Sequence, residues 1–265
     1  MIKIDNSAYG PVSDLYRSAA SPETFFPLIG AVISNEQDGS VYVDNIDSPR
    51  QAYVEHHFGF AQIFGASEGG FESRLEKYLF KEVIADSDAK KIRLYGTFEP
   101  EFLLAHPSHE IRSERQRFRL DPHHIFEDFR FSPELEIAPA SLSNIDAIDS
   151  KFGVVKRFWR NSDDFIEQAH AVVLSSHDEL VAICYSAANS KGTTEIDVVT
   201  DERFRKRGFG KVVVSAYIKG CRAASLEPGW DCFTNNLGSM RLCESVGFKP
   251  FGSAYRFYTI NMLRA

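Results

Sequence analysis

Apolar and polar positions alternate along several short stretches of this chain, and a period of two is typical of β-strands. Elsewhere apolar residues recur every three to four positions, which is typical of an amphipathic helix. In the first half, this pattern predicts strands over 39–44, 52–60 and 91–96 and helices over 11–34 and 71–84. Gly39–Asp44 and Ala52–Phe60 are close enough along the chain to form adjacent strands.

The second half is more regular. Its pattern predicts strands over 135–138, 170–174, 180–186, 194–200, 230–234 and 255–260, and helices over 143–148, 162–167, 212–221 and 236–245. A polar turn between the second and third of these strands predicts a hairpin, and Ser162 is the expected N-cap of its helix. Segment 121–134 carries two Asp/Ser-Pro pairs, so we expect a boundary there between an N-terminal domain, 1–130, and a C-terminal domain, 131–265. Both domains mix strands with helices, which predicts an α/β fold.

Composition narrows the class of protein. The 265 residues are 43% hydrophobic and 25% charged, as in an ordinary soluble protein, and no apolar run reaches the ~20 residues that span a bilayer. A net charge of −7 argues against general nucleic-acid binding. The four cysteines show no CxxC spacing, and the N-terminus shows no signal-peptide pattern, so we expect a cytoplasmic protein with reduced thiols.

Two patterns offer alternative functions. Histidines fall in pairs, at His56 and His57, His106 and His109, and His123 and His124, but without the spacing of a metal site, so we expect no metal. Arginines recur along Arg112–Arg119, which fits a strand that binds a polyanion or, in so acidic a chain, a solvated strand.

The stretch Arg205–Lys211 is a local exception to the acidic composition. It links the strand at 194–200 to the helix at 212–221 and combines two glycines with four cations. Glycines let the backbone approach a phosphate closely, and a helix N-terminus offers unpaired N–H groups and a positive dipole end. The stretch therefore predicts an anion site, with an exposed strand–helix connection as the alternative.

Two motifs together resemble the GNAT acyltransferase superfamily. Arg205, Gly208 and Gly210 stand where that family has Gln/Arg-x-x-Gly-x-Gly/Ala between a strand and a helix. A second motif of the family matches a set about thirty residues further on: Asn236, Ser239, Leu242, Gly247 and Phe248. The resemblance implies a mixed, mostly antiparallel and splayed central sheet flanked by helices, preceded by a smaller α/β N-terminal domain.

The whole chain is similar to a narrower branch, the zwittermicin-A-resistance-type GNAT proteins. Their N-terminal domain carries a Gly-x-Val-Tyr-Val-Asp element, which Gly39–Asp44 matches. Residues 1–130 contain no second basic glycine loop, so we expect this domain to shape the acceptor pocket or an interaction surface without binding coenzyme A.

The resemblance implies acetyl-CoA as cofactor, held by backbone and side chains of these residues: Val198, Val199, Thr200, Arg205, Lys206, Arg207, Gly208, Phe209, Gly210, Lys211 and Asn236. Val198 N–H is the expected donor to the thioester oxygen. Asn236 either holds the cofactor arm or caps its own helix.

Alternation along the strand places Glu195 and Asp197 on one face. By its offset from the glycine loop, Glu195 is similar to the base of the lysine-acetylating GNAT branch. We predict Glu195 as the base and Asp197 as the binder of a cationic substrate. The alternative is that both carboxylates are solvated or form a salt bridge to a helix, such as at Lys211. Cys243 replaces the tyrosine that many GNAT enzymes use as an acid, so the acid stays unassigned between Tyr255, Tyr258 and none.

These observations predict an N-acetyltransferase that transfers acetyl from acetyl-CoA directly to an amine, expected on a small molecule, in a ternary complex. The alternative is a non-catalytic acyl-CoA-binding or interaction protein with a degenerate site. We expect neither a nucleic-acid nor a membrane partner, and the sequence leaves a homodimer open.

Overall fold

The computed structural model describes residues 1–67, 69–81, 83–84, 91–96, 98–104, 112–124 and 134–264. The strands in chain order are β1 (Ile2–Ile4), β2 (Gly39–Val43), β3 (Gln51–His56), β4 (Phe60–Gly65), β5 (Val83–Ile84), β6 (Lys91–Gly96), β7 (Arg112–Leu120), β8 (Leu135–Pro139), β9 (Val172–Ser176), β10 (Glu179–Ser190), β11 (Thr193–Thr200), β12 (Glu227–Phe233), β13 (Phe248–Asn261) and β14 (Leu263–Arg264).

The helices alternate with these strands. They are α1 (Gly10–Ala19), α2 (Pro27–Ile33), α3 (Gly69–Phe80), α4 (Glu101–Leu104), α5 (Ile145–Phe152), α6 (Val155–Phe158), α7 (Ser162–Gln168), α8 (Phe209–Ala223) and α9 (Leu237–Ser245), with single 3-10 turns at Asn6–Ala8 and Glu202–Phe204. None of the helices that the structure describes is both long and apolar enough to cross a membrane.

The chain divides into two compact units. Unit 1 comprises Met1–Arg115 and Ala254–Ala265, and unit 2 comprises Gln116–Ser253. The chain therefore leaves unit 1 within β7 and returns to it within β13. This division follows contacts between residues, whereas the boundary that we expect from the sequence lies within 121–134, of which 125–133 fall outside the described residues. The separate roles that we assign to 1–130 and 131–265 stay a prediction.

Unit 1 contains the predicted pair of adjacent strands. β2 and β3 are antiparallel, with Gly39 opposite His56 and Val43 opposite Ala52. The expected strand 52–60 is too long, because the backbone turns at Gly59, whose φ is +85° and whose N–H donates to His56 O at 2.7 Å. Phe60 begins β4, a strand that the sequence analysis missed. The sheet order in this unit is β1-β2-β3-β4-β6-β13, with β4 and β6 parallel.

Unit 2 has the sheet order β7-β12-β11-β10-β9-β8. β8, β9, β10 and β11 are successively antiparallel, as the hairpin prediction requires, and β11 and β12 are parallel. The sheet is thus mixed and mostly antiparallel. The helix α7 begins at Ser162 as expected, but its N-cap is Asn161 and not Ser162, because Asn161 Oδ1 accepts the Asp164 N–H at 2.8 Å.

The arginines of β7 lie against aromatic rings and a carboxylate. Arg117 Nε is 3.8 Å from Asp231 Oδ2, and the Arg119 guanidinium carbon is 3.5 Å from the centre of the Phe251 ring. Arg117 and Arg119 thus already have partners within unit 2, and these contacts do not support the alternative that β7 binds a polyanion. Of the paired histidines, His106 and His109 lie outside the described residues. In the described part of the chain, no group of three His, Cys, Asp or Glu side chains is arranged to hold a metal ion.

Candidate active site

The parallel strands β11 and β12 separate partway along their length. Their pairing joins Thr193–Glu195 to Glu227–Gly229, and in the described part of the chain it extends no further. Both strands nevertheless continue, β11 to Thr200 and β12 to Phe233. The backbone edge of β11 beyond Glu195 therefore faces a gap where an extended molecule can add as a strand does.

The open part of β11 leads directly to the N-terminus of α8. Gly208 is the N-cap of this 15-residue helix, and its φ of +84° is a left-handed conformation that glycine adopts without strain. The first main-chain bond of the helix runs from Val212 N to Gly208 O at 3.2 Å. Because the first N–H groups of a helix have no acceptor within it, those of Phe209 and Gly210 are available to an anion.

The cations before this helix hold the shape of the loop. Arg205 Nε donates to Thr200 O at 3.2 Å, and Arg205 Nη1 lies 3.2 Å from Glu202 Oε1. The guanidinium of Arg207 lies over the Phe204 ring, 5.3 Å from its centre. Lys206 is exposed and has a left-handed backbone, with φ at +64°. We infer that the backbone N–H groups are the main ligands for an anion here, with the cations adding charge around them.

Four charged side chains fix the start of the loop. Lys151 Nζ lies 2.5 Å from Asp201 Oδ2 and 3.1 Å from Glu179 Oε1. The Arg203 guanidinium contacts the same two carboxylates. Hydrogen bonds from Lys151 and then Arg203 hold the pKa of Asp201 well below its usual range. This group, which we call the charged quartet, connects the loop to α5 through Lys151 and to the start of β10 through Glu179.

The two family motifs meet at Gly210. A Cβ added there would lie 3.3 Å from Leu242 Cδ2 and 3.5 Å from Thr200 Oγ1, so the missing side chain lets α9 pack closely. Asn236 caps α9, because its Oδ1 accepts the Ser239 N–H at 3.1 Å, and Ser239 Oγ accepts from Trp230 Nε1 at 3.0 Å. Capping is therefore one role of Asn236, and holding the cofactor arm stays a prediction.

Glu195 and Asp197 lie on the face of β11 that is turned away from α8. The opposite face carries Thr194, whose hydroxyl lies 2.7 Å from Tyr217 Oη on α8. Glu195 is 9% exposed, so its carboxyl group is largely removed from water. Asp197 lies two residues further on, past the end of the β11–β12 pairing.

Asp197 accepts hydrogen bonds from three groups. They come from Arg157 Nη1 at 3.2 Å, from the Tyr185 hydroxyl, and from its neighbour Val198 N–H at 3.0 Å. Burial and then the negative charge of Asp197 raise the pKa of the Tyr185 hydroxyl well above its usual range, which keeps it a donor. Asp197 thus forms the salt bridge to a helix that was the alternative to substrate binding, and its partner is Arg157 on α6. The Val198 N–H, our expected donor to the thioester oxygen, is held by this carboxylate.

Arg157 is a site residue that the sequence analysis missed. It lies 40 residues before Asp197, and no motif links the two positions. The available signal was local composition, since Lys156, Arg157 and Arg160 fall within five residues of an acidic chain.

The Cys243 thiol is enclosed in the core of unit 2, in the group of buried residues that includes Cys232 and Val246. Burial raises its pKa well above the usual range. A proton donor needs access to the group that it protonates, so these surroundings favour packing as the role of Cys243. Tyr258 belongs to unit 1, where burial and then a hydrogen bond to Glu99 raise the pKa of its hydroxyl to about 12.

The loop and the helix N-terminus fit the diphosphate of a coenzyme A ester. Around the position that a Cβ of Gly208 would take there is open space, with nothing within 4 Å, so a phosphate can reach the helix N–H groups. The separated edge of β11 leads away from this cradle in the direction of Glu195.

Comparison with known proteins agrees with this arrangement. The family model described as GNAT acetyltransferase matches residues 25–258. A Bacillus subtilis (strain 168) protein, named uncharacterized N-acetyltransferase YdfB, is 20% identical over 97% of this chain and 98% of its own length.

Solved structures share the fold. A GCN5-related N-acetyltransferase-like protein from Streptococcus suis 89/1591 has a TM-score of 0.65 at 18% identity, covering 96% of this chain and 99% of its own. A GCN5-related N-acetyltransferase from Sphaerobacter thermophilus has a TM-score of 0.63 at 10% identity, covering 100% and 97%. Because the family model spans most of the sequence, this chain belongs to the GNAT acetyltransferase family.

Proposed function

We propose that this protein transfers an acetyl group from acetyl-CoA, the donor of its family, to the amine of a small molecule, directly in a ternary complex. The observation that carries the proposal is the separation of β11 from β12 immediately before the anion cradle at Gly208. It provides a backbone edge for the pantetheine arm and helix N–H groups for the diphosphate in one continuous path. When bound, the cofactor supplies an activated thioester carbonyl.

Glu195 is the proposed general base. An amine attacks only as the neutral base, so a group within reach must take the proton of its ammonium form. The largely buried Glu195 carboxylate faces away from α8 at the point where the strands part. Glu195 would take the proton of the ammonium form directly or through a water. The neutral nitrogen would then form the amide bond as the carbon–sulfur bond breaks, and coenzyme A would leave as its thiol with the proton that the nitrogen loses.

Val198 N–H is the proposed donor to the carbonyl oxygen, where negative charge develops. It now donates to Asp197 Oδ1, so the carboxylate has to rotate away before the N–H can serve the substrate. Arg157 and Tyr185 contact the other oxygen of Asp197, Oδ2, and these contacts remain available after such a rotation.

For Asp197 we propose a supporting role in place of the substrate-binding role expected from the sequence. Its carboxylate already accepts from three donors, one of them a full positive charge. A cationic substrate would have to displace Arg157 to reach it. We propose that Asp197 holds Arg157 and Tyr185 in place.

Membership of the zwittermicin-A-resistance-type branch is also a proposal. It rests on Gly39–Asp44, the element that resembles the branch and whose first five residues form β2. Full-length coverage of the relatives is compatible with it, since their match includes the first unit.

The test is a thiol-release assay with acetyl-CoA and a panel of amines that includes amino acids, polyamines, aminoglycosides and peptides. We expect amine-dependent release of coenzyme A with at least one class and formation of the N-acetyl product by mass spectrometry. Measurable coenzyme A binding with no release for any amine would favour the alternative, a non-catalytic acyl-CoA-binding protein.

A further inference from the structure

The segment Lys156–Arg160 brings positive charge to the face of β11 that carries Glu195 and Asp197. The whole chain has a net charge of −7, yet three of these five residues are cationic. Of the three, Lys156 and Arg160 are exposed, while Arg157 is half-buried against Asp197. Arg157 is therefore the cation of this segment that contacts the site, and the residues packed around it fix its position.

The backbone around Arg157 is anchored to the same two strands. Trp159, the C-cap residue of α6, is buried and donates from Nε1 to Ser186 O on β10 at 2.9 Å. Tyr185, next to Ser186, bonds to Asp197, and Asp197 bonds to Arg157. The backbone near Arg157 is thus fixed through Trp159, and the guanidinium is fixed through Asp197. These two contacts set the direction of the remaining guanidinium N–H groups.

In the ion pair between Arg157 and Asp197, the carboxylate has more of its hydrogen-bonding capacity occupied than the guanidinium has. The Asp197 carboxylate accepts from three groups. Arg157 has five side-chain N–H donors, more than the two described groups that its guanidinium contacts, Asp197 Oδ2 and the Tyr185 hydroxyl. The side chains of both residues are 30% exposed. The group of this pair that still offers hydrogen bonds to a ligand is therefore the guanidinium.

Glu195 lies two positions from Asp197 on the same strand face, roughly 7 Å away along the backbone. The face thus presents a carboxylate that accepts protons and, beside Asp197, a guanidinium that binds anions. A ligand that matches both carries an amine and a carboxylate on one short skeleton.

We propose that Arg157 determines specificity by binding the carboxylate of the acceptor, so that the substrates are amino acids and not simple amines or polyamines. The inference rests on the proposed acetyltransferase function and on Glu195 as its base. A planar guanidinium pairs with a carboxylate through two parallel hydrogen bonds, and such charge-assisted contacts are stronger than neutral ones.

The experiment compares matched acceptors in the thiol-release assay. Each amino acid of a panel, such as glycine, β-alanine, glutamate and lysine, is paired with its carboxamide, and rates are expressed per free amine. We expect kcat/KM to be about 10- to 100-fold higher for the preferred acid than for its amide, the range that one charged hydrogen-bonded contact provides. Arg157→Gln should remove that preference, mainly through KM, and Arg157→Lys should restore only part of it.

Lys156→Gln is the matched control, because it removes the same charge one residue away at an exposed position. It should keep the preference for the acid. Circular dichroism and coenzyme A affinity of each variant identify any general loss of structure.

Equal turnover of acids and amides by the wild type, or an unchanged preference in Arg157→Gln, overturns the inference while leaving the acetyltransferase function intact. Absence of turnover with every acceptor, despite coenzyme A binding, contradicts the proposed function itself and the inference with it.

Discussion

Gly208 combines a conformational requirement with an electrostatic one. Its φ of +84° is unfavourable for most side chains, and the space beside it is open. Gly208→Asp should therefore abolish measurable coenzyme A binding in isothermal titration calorimetry, because it adds a negative charge where the diphosphate binds. The fold should survive, since the added Cβ meets no other atom.

The matched control is Gly208→Asn, which has nearly the same shape without the charge and tolerates a left-handed backbone. We expect Asn to weaken binding much less than Asp. Equal affinities for the two variants would show that no anion binds at this position.

Glu195 offers a second test on a single side chain. Glu195→Gln removes the proposed base and should lower kcat/KM at neutral pH by about 100-fold or more, the usual contribution of general base catalysis. In the wild type, log(kcat/KM) should fall at low pH with a slope one unit steeper than in the variant, because the base takes up one proton there. The comparison needs the same acceptor for both enzymes, because the amine also titrates.

Glu167→Gln serves as its control, since Glu167 is an exposed carboxylate on α7. Its pH profile should overlay that of the wild type. A Glu195→Gln enzyme with an unchanged profile would remove Glu195 from the mechanism.

At the scale of elements, the charged quartet makes the loop before α8 sensitive to acid. Its member Asp201 has a lowered pKa in the folded protein because Lys151 and Arg203 donate to it. A depressed pKa contributes stability above the unfolded-state value of about 3.9, and that contribution is lost as the pH falls through the folded value. We expect Asp201→Asn to lower the melting temperature at pH 7, and the difference from wild type to shrink progressively below pH 4.

Glu202→Gln changes the neighbouring carboxylate, whose side chain is 83% exposed, and should show a much smaller difference at both pH values. Asn can keep the hydrogen bond that Asp201 Oδ1 accepts from the Arg203 N–H, so a difference that does not change with pH would contradict a stabilising role for the Asp201 charge.

The elements illustrate what local pattern predicts well. The alternation of apolar and polar residues in Gly39–Val43, and the β-branched residues interspersed with polar ones in Thr194–Thr200, were enough to predict strands. In such segments the type of each residue indicates which side of the strand is buried. The start of β4 was missed because Phe60 continues an apolar run, and the turn at Gly59 depends on one backbone angle. Similarly, Asn161 and Ser162 are both good N-caps, and only the hydrogen bond to Asp164 distinguishes them.

The candidate site was predictable only where a motif is contiguous. The cradle at Gly208 was found from its glycines and the helix after it. The contact between Arg157 and Asp197 joins positions 40 residues apart, and a single sequence carries no information on such a pair. The separation of β11 from β12 was expected from family resemblance alone, since nothing in the residue types of either strand requires it.

At the scale of the whole molecule, the division into two units predicts which fragments of the chain fold on their own. β7 contributes Phe118, which is 1% exposed, to the core of unit 2 together with Trp230 and Phe248. A fragment of 131–265 lacks that strand, whereas a fragment of 116–253 keeps its second half, which includes Phe118. We expect 116–253 to unfold cooperatively in urea and 131–265 to be far less stable or to aggregate, because removing a buried phenylalanine alone costs about 3–5 kcal/mol.

Circular dichroism and urea titration of both fragments measure this directly. Greater stability of the 131–265 fragment would favour the boundary that the proline-containing segment predicts over the one drawn from contacts.

The return of the chain to unit 1 has a consequence for biosynthesis. Arg256–Asn261 of β13 pair with Gly96–Lys91 of β6, so the sheet of unit 1 lacks this strand until it has been translated. About 140 residues of unit 2 emerge in between, which at ~5–20 residues per second takes on the order of ten to thirty seconds. During that interval the edge of β6 that pairs with β13 has no partner strand, and by its end unit 2 has all its residues while unit 1 still lacks its last strand. Nascent-chain protease protection should therefore appear in unit 2 first, even though unit 1 holds the N-terminus.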